Sequence, residues 1–582
     1  MWNCISNCPL IILPPLPGVS VHCAEERIQF NSSVAKWCLR KAARCTRRRQ
    51  TEEALQWLLL SARVMACECA TLVSPHLEKQ LIGIGLGLAM PGRELPHPNL
   101  PKRWLHVLTE VRGDGGHSAM LKRWIQHDPE NNVHNIVLLS QTVPVPALLS
   151  DSVRSRNGEI HQIDHKESLI SRSSWLREIV TNHADVVVLH THPWDIVPTV
   201  ALALPGGPPV LLVNHAAHIF WVGASAADVV LNCRFSPQED EWTIRHRGVP
   251  SVMHLPIPLP EPRRSGTREA EESRSTVRRS LAIPQDALVM MSVGIGNKYT
   301  PIDGVDFAQV MGAILEADKR VYLMVVGPEK DPRWDKLRER SAGRFILVEK
   351  QPDVAMPALF QAADIYLEGF PFGSTTALLE AALGGLPCVL PPASCPPPFT
   401  TDGIALELLE RPADVPAYQQ RIHLLLNDPE ERVQCGRMLS ESIRSQHCGP
   451  GWSRYLAAIQ ANLPGVHRVR PLGEQENVES NLSAYWTSFS AMVNEDPLVS
   501  TFRAAGYLGL VPKIDWILFL RLLRYGERGR KPGGPSTFTL AQECCVSYLI
   551  SMTRAVCKLI AAGCHGVRTL FQGTGEKCPT EK

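Results

Sequence analysis

The sequence lacks an excess of charge of either sign: 60 Lys and Arg stand against 58 Asp and Glu, a net charge of +2 at pH 7. No global field draws such a chain to nucleic acid, and none is expected as a partner. It also lacks an uninterrupted apolar run of bilayer-spanning length. The nearest candidates are Leu508 to Leu523, broken by Lys513, Asp515 and Arg521, and Val546 to Ala562, broken by Arg554 and Lys558. They read as solvated helices, with a peripheral amphipathic contact to a membrane as the alternative. No Lys or Arg precedes the apolar stretch Pro9 to Val21, which Pro14, Pro15 and Pro17 interrupt, so a secretory signal is not expected. Of the 17 cysteines, only Cys233, Cys388, Cys395, Cys435 and Cys448 lie in the middle of the chain, with no CxxC pair and no zinc-site spacing. Scattered reduced thiols of this kind suit a cytoplasmic protein without a bound metal.

What is present is the composition of a soluble globular protein, 44% hydrophobic and 20% charged over 582 residues. That length exceeds one ordinary core, so several domains are expected. Residues 1–100 read as an α-helical extension, with strong helix formers from Glu52 to Leu60. Residues 101–262 alternate apolar strands with helices: Leu105 to Glu110, Val133 to Leu139, Asp185 to His190, Val210 to Asn214 and Asp228 to Leu231 are the strands. Helices are expected over Ser118 to His127, Ser173 to His183 and Trp194 to Leu204. Arg263 to Ser280 is almost devoid of apolar residues and reads as a solvated linker or insertion. A second alternating series fills 281–465, with strands at Ala287 to Val293, Val321 to Val326, Arg344 to Val348, Asp364 to Leu367 and Cys388 to Leu390. Residues 466–582 read as a helical tail. The fold class is therefore α/β, with parallel sheets, crossover helices and a cleft at the carboxyl ends of the strands.

The chemistry is expected where Phe370-Pro-Phe-Gly-Ser-Thr-Thr376 enters a helix. Ser374, Thr375 and Thr376 place hydroxyls beside the free N–H groups of a first helical turn, which suits a phosphate. Glu380 follows one turn after Thr376 on the same face, within reach of a ribose diol; a plain Ser/Thr cap with a solvent-facing Glu is the competing reading. In the first series, Gly113-Asp-Gly-Gly-His117 opens a helix without meeting the GxGxxG pattern, so a dinucleotide fingerprint is absent. His190-Thr-His192 and Asn214-His215 end strands. A single His is usually structural, whereas four near strand ends suggest contact with reacting groups, His117 and His215 above all.

Over roughly Trp104 to Pro464 these motifs resemble the nucleotide-sugar glycosyltransferases of the GT-B fold, in which two Rossmann-like domains face a cleft. Leu379-Glu380-Ala-Ala-Leu-Gly-Gly-Leu-Pro-Cys-Val389 is similar to the helix and strand of the family 4 retaining transferases. Phe370 to Thr376 is closer to O-GlcNAc transferase, SPINDLY and the bacterial adhesin glycosyltransferases. Family 4 members carry a Glu eight residues before the helix Glu; Phe372 stands there in this chain, and Glu368 lies twelve before Glu380. The loop Ser292-Val-Gly-Ile-Gly-Asn-Lys-Tyr-Thr-Pro301 is similar to the loop that gives a cation to the donor diphosphate. Ile295 occupies the family 4 arginine position, and Lys298 is the nearby cation.

The resemblance implies transfer of a sugar from a nucleotide-sugar to a glycan, lipid or protein acceptor. It gives Lys298, Ser374, Thr375, Thr376 and Glu380 to the donor and His117 and His215 to the reacting groups. Gly115, Gly116, His192 and Glu368 are further candidates. No Asp-x-Asp motif is evident, so neither a metal nor another cofactor is expected. A sugar-nucleotide epimerase of the same fold and a non-catalytic binding protein are the alternatives.

Overall fold

The computed structural model describes residues 21–90, 92, 101–113, 116–261, 267–301, 305–352, 355–393, 406 and 408–473. Most of the apolar N-terminal stretch, and the two tail segments weighed as helices or membrane contacts, lie outside the described residues, as do Asp114, Gly115 and the tail beyond residue 473. Among the described residues no helix is long and apolar enough to cross a membrane.

Seven strands, β1 Arg103–Leu108, β2 Val133–Leu138, β3 Ile160–Gln162, β4 Val186–His190, β5 Val210–Asn214, β6 Val229–Asn232 and β7 Val252–His254, form one sheet. Its order is β3-β2-β1-β4-β5-β6-β7, and every neighbouring pair is parallel. Every residue of β4, β5 and β6 is buried, as Val- and Leu-rich strands must be when helices cover both faces. The second sheet holds β8 Leu288–Val293, β9 Val321–Val326, β10 Phe345–Val348, β11 Ile365–Leu367 and β12 Cys388–Val389, in the parallel order β10-β9-β8-β11-β12. Successive residues feed two cores: Met291, Met324 and Tyr366 join one, Met290, Leu323 and Ile365 the other. The expected pair of Rossmann-like units is present.

Three features differ from the sequence reading. The charged run expected as a linker is helical over Thr267–Ser280. Its long cations explain why: the fully buried guanidinium of Arg278 donates to the carbonyls of Ala362 and Ala287 (3.0 and 2.9 Å) and to Asp364 (2.8 Å). Arg274 donates to the other Asp364 oxygen at 2.6 Å, so this helix belongs to the body of the second unit. The helix expected over Trp194 to Leu204 is short, Val197–Ala201. The last described helix, Gly449–Ala461, follows directly on helix Pro429–His447 of the second unit but crosses to the first sheet. Its Trp452, Leu456 and Ile459 join Trp104, Trp124, Val188 and Leu211 in the core of the first sheet, and Trp452 Nε1 donates to the Pro256 carbonyl at 2.6 Å.

The N-terminal helices Thr51–Glu68 and Pro75–Leu86 dock on the first unit through carboxylates, and Val21–Arg47 packs against Thr51–Glu68. Glu52 accepts from Leu169 and Ile170 N–H, both at 3.0 Å, where helix Leu169–His183 begins and its free N–H groups and dipole favour an anion. Glu78 is 1% exposed and accepts from Gly223 N–H at 2.7 Å, from Ala224 and Ser225 N–H, and from the Ser225 hydroxyl. Gly85 permits close approach, because a Cβ there would collide with the Val200 carbonyl and Ala203. Glu78→Ala leaves several buried donors without an acceptor and is expected to cost on the order of 3 kcal/mol. Urea unfolding of the variant beside the parent measures it; an unchanged midpoint would show that the docking is energetically idle.

Candidate active site

The carboxyl ends of β8 and β11 converge on one polar cluster. Beyond β8 the chain turns at Gly294 into the short 3-10 helix Gly296–Tyr299, which presents Lys298. Gly327 has φ +104°, and a Cβ there would press on the Gly294 carbonyl, so two glycines let the ends of β8 and β9 meet. Lys298 Nζ donates to the Gly373 carbonyl at 2.8 Å and to Ser374 Oγ at 2.7 Å. Lys298 O accepts from Phe372 N–H at 3.2 Å, tying the two loops together.

Ser374 caps helix Thr375–Leu383 by position, yet its side chain makes no capping bond and instead meets the lysine. Thr375 is half-buried, Thr376 exposed and Glu380 half-buried further along the helix. Glu368, just past β11 and 2% exposed, accepts from Ser374 N–H through Oε1 and from the Tyr366 hydroxyl through Oε2 at 3.1 Å. A Cβ at Gly373 would press on that carboxylate and force it to shift. Burial pushes the Lys298 ammonium down from its usual range, with Glu368 opposing; burial pushes Glu368 up, with Lys298 opposing. Glu368 thus braces the turn that holds Lys298 and Ser374.

The first unit brings its histidines together at the ends of β4 and β5. His117, in the first turn of helix Gly116–His127, stacks on His215 with ring centroids 3.9 Å apart. His215 Nε2 lies 3.3 Å from His190 Nδ1. His192 is nearby, its ring centroid 6.4 Å from that of His117, and its N–H donates to Thr109 Oγ1 at 3.0 Å. His117 Nε2 is buried without a hydrogen-bond partner among the described residues. Gly116 is exposed at the helix start. Burial lowers His117 and His215 well below the ordinary histidine value, so both are neutral at pH 7.

Two residues that sequence reasoning missed, Arg234 and His218, lie within electrostatic reach of Lys298. Arg234, two residues beyond β6, pairs with Glu239 at 3.4 Å, and its charge bears on Lys298 of the second unit. His218 is pushed down to about 3, first by burial and then by Arg234 and Lys298. The position of Arg234 at a strand's carboxyl end was the available signal. Glu239 is raised to about 7 by burial. Glu159, His161 and His183 are the one group among the described residues with ligand atoms close enough for a metal ion, and they lie by the edge strand β3, not at this site.

The chain matches no protein-family profile and no curated protein sequence. Among solved structures it is similar to Anabaena Alr3699/HepE in complex with UDP and glucose, at 12% identity over 62% of this chain and 100% of that one, TM-score 0.45. It is similar to a mutant O-GlcNAc transferase of Thermobaculum terrenum at 14% identity, over 75% of this chain and 83% of that one, TM-score 0.46. WaaG, a glycosyltransferase involved in lipopolysaccharide biosynthesis, aligns at 13% identity over 62% and 100% of the two chains, TM-score 0.39.

Proposed function

We propose that the protein is a glycosyltransferase that takes a nucleotide-sugar donor on its second unit and an acceptor hydroxyl beside the histidines of its first, without a metal ion. The observation that carries the reading is the Lys298–Ser374 contact at a helix N-terminus, with Arg234 and the His117–His215 stack on the other unit. A departing nucleoside diphosphate gains charge as the glycosidic bond breaks. A half-buried ammonium, a hydroxyl and first-turn N–H groups are suited to stabilise it without reorganisation. Glu380 is assigned to the ribose hydroxyls and His215 to the acceptor proton. The same proposal places the protein in the cytoplasm.

Incubation with UDP-, GDP- and dTDP-sugars, reading nucleoside diphosphate release, tests the proposal; no release from any donor with a range of acceptors would defeat it. Glu380→Ala is expected to weaken nucleotide-sugar binding by about 1–3 kcal/mol, the range of hydrogen bonds to a charged group. Equal calorimetric affinities for variant and parent would remove Glu380 from the site. The buried carboxylates Glu368 and Glu239, both raised by burial, favour the epimerase as second reading, since acid/base work needs such groups. An epimerase would return the sugar-nucleotide with one stereocentre inverted.

A further inference from the structure

From Asp128 a single file of hydrogen bonds crosses the first sheet to the candidate active site. His134 Nε2 lies 2.7 Å from Asp128 Oδ2, His134 Nδ1 3.0 Å from His106 Nε2, His106 Nδ1 3.2 Å from His190 Nε2, and His190 Nδ1 3.3 Å from His215 Nε2. The rings sit on the adjacent strands β2, β1 and β4 and just past β5, and His106, His134 and His190 are at most 1% exposed. Every ring turns Nε2 toward Asp128 and Nδ1 away from it.

A neutral imidazole has one N–H and one lone pair. In a file of neutral rings each link must therefore run in the same sense, and only two arrangements exist: all protons on Nε2, or all on Nδ1. An ionised carboxylate has no hydrogen to donate and admits only the first. Asp128 is held in that form. Burial works against its charge, but bonds from His134, from Asn132 Nδ2 at 2.8 Å and from Glu130 N–H at 3.1 Å outweigh it and lower its pKa. Gln460 Nε2 adds a further donor at 2.6 Å. Burial keeps His106, His190 and His215 below their ordinary range.

The geometry points to Asp128 as a positioning residue that sets the tautomer of His215 through three intervening histidines, leaving Nδ1 of His215 as the basic nitrogen. The use of that nitrogen rests on the proposed function. There His215 Nδ1 takes the proton of the acceptor hydroxyl as its oxygen bonds to the anomeric carbon, and the nucleoside diphosphate leaves with the electron pair of the broken bond. The proton stays on His215, because Asp128 remains ionised. His190 accepts from the imidazolium so formed, and His134, His106 and His190 hold the ring in place.

Nitrogen-15 NMR of the full chain, with labelled histidine, reads the tautomers. In the native protein His134, His106, His190 and His215 are expected to be neutral with the proton on Nε2. In Asp128→Asn, the Glu130 N–H and Gln460, both on Oδ1, keep the amide oxygen on their side, Asn132 turns its own amide to accept on the other side, and the second amide N–H points toward His134, so the file is expected to reverse and put the His215 proton on Nδ1. A second variant, His106→Phe, cuts the file: His134 is expected to keep its Nε2 proton while His190 and His215 lose a single tautomer. A proton on Nδ1 of His215 in the native chain, a doubly protonated His134, or a His215 unchanged in both variants would overturn the inference. Turnover of a nucleotide-sugar is expected to fall in Asp128→Asn by up to about 10²–10⁴-fold, the contribution of a general base. A reversed file with turnover untouched would keep the file and remove His215 from the chemistry, so the two failures read apart.

Discussion

Lys298→Ala is expected to lower the turnover number by about 10²–10³-fold, comparable with loss of one oxyanion-type donor, with a smaller change in donor affinity. Under the proposed function the ammonium meets charge that grows only as the glycosidic bond breaks, so its contribution would fall mainly on the transition state. The contacts of Lys298 add a second expectation. Its removal strips the buried Glu368 of the cation that offsets its burial, which destabilises the fold until the carboxylate takes up a proton. Lys298→Ala combined with Glu368→Gln should therefore regain stability in denaturant titrations without regaining turnover. Lys298→Arg should recover only part of the rate, because a planar fork replaces a compact charge within the 2.7 Å contact to Ser374 Oγ. Turnover of the alanine variant at the parental rate would place the phosphate site elsewhere.

His215→Ala is expected to reduce kcat by about 10²–10⁴-fold, with donor affinity close to that of the parent. Its pH dependence gives the sign. A general base works when deprotonated, and burial, then His117 and His190, push His215 below its ordinary 6.5. The acidic limb of kcat/KM should therefore lie below the value of an exposed histidine, with activity flat through neutral pH. A limb at or above 6.5 would assign the base to another group.

The central strands were legible because a strand buried on both faces must be a run of Val and Leu, as VVVLH and VLLVN are. The strands β3 and β7 were not: each has three residues, IHQ and VMH, none fully buried, and carries no comparable pattern. Helix Thr267–Ser280 was hidden by its charge, since its anchors are guanidinium groups that reach carbonyls and Asp364 far along the chain. At the site, Lys298 and Ser374 were each visible as residues at loop positions. Their contact, across 76 residues of sequence, was not. Arg234 stands at a strand's carboxyl end but belongs to no motif, so nothing beyond that position marked it. His106 and His134 sat inside apolar strand patterns, where a histidine offers no sign that its ring is one of a file.

Helix Gly449–Ala461 bears on how such a protein can be recombined. Trp452 closes the core around Trp104 and Trp124, and Gln460 holds the Asp128 carboxylate at 2.6 Å, although both residues follow the whole second unit in the chain. A chimera that exchanges the second unit by replacing everything after the first sheet would carry a foreign helix into that core and unseat the aspartate. The workable graft has two seams, one near residue 262 and one between His447 and Gly449, so that the recipient keeps its own final helix.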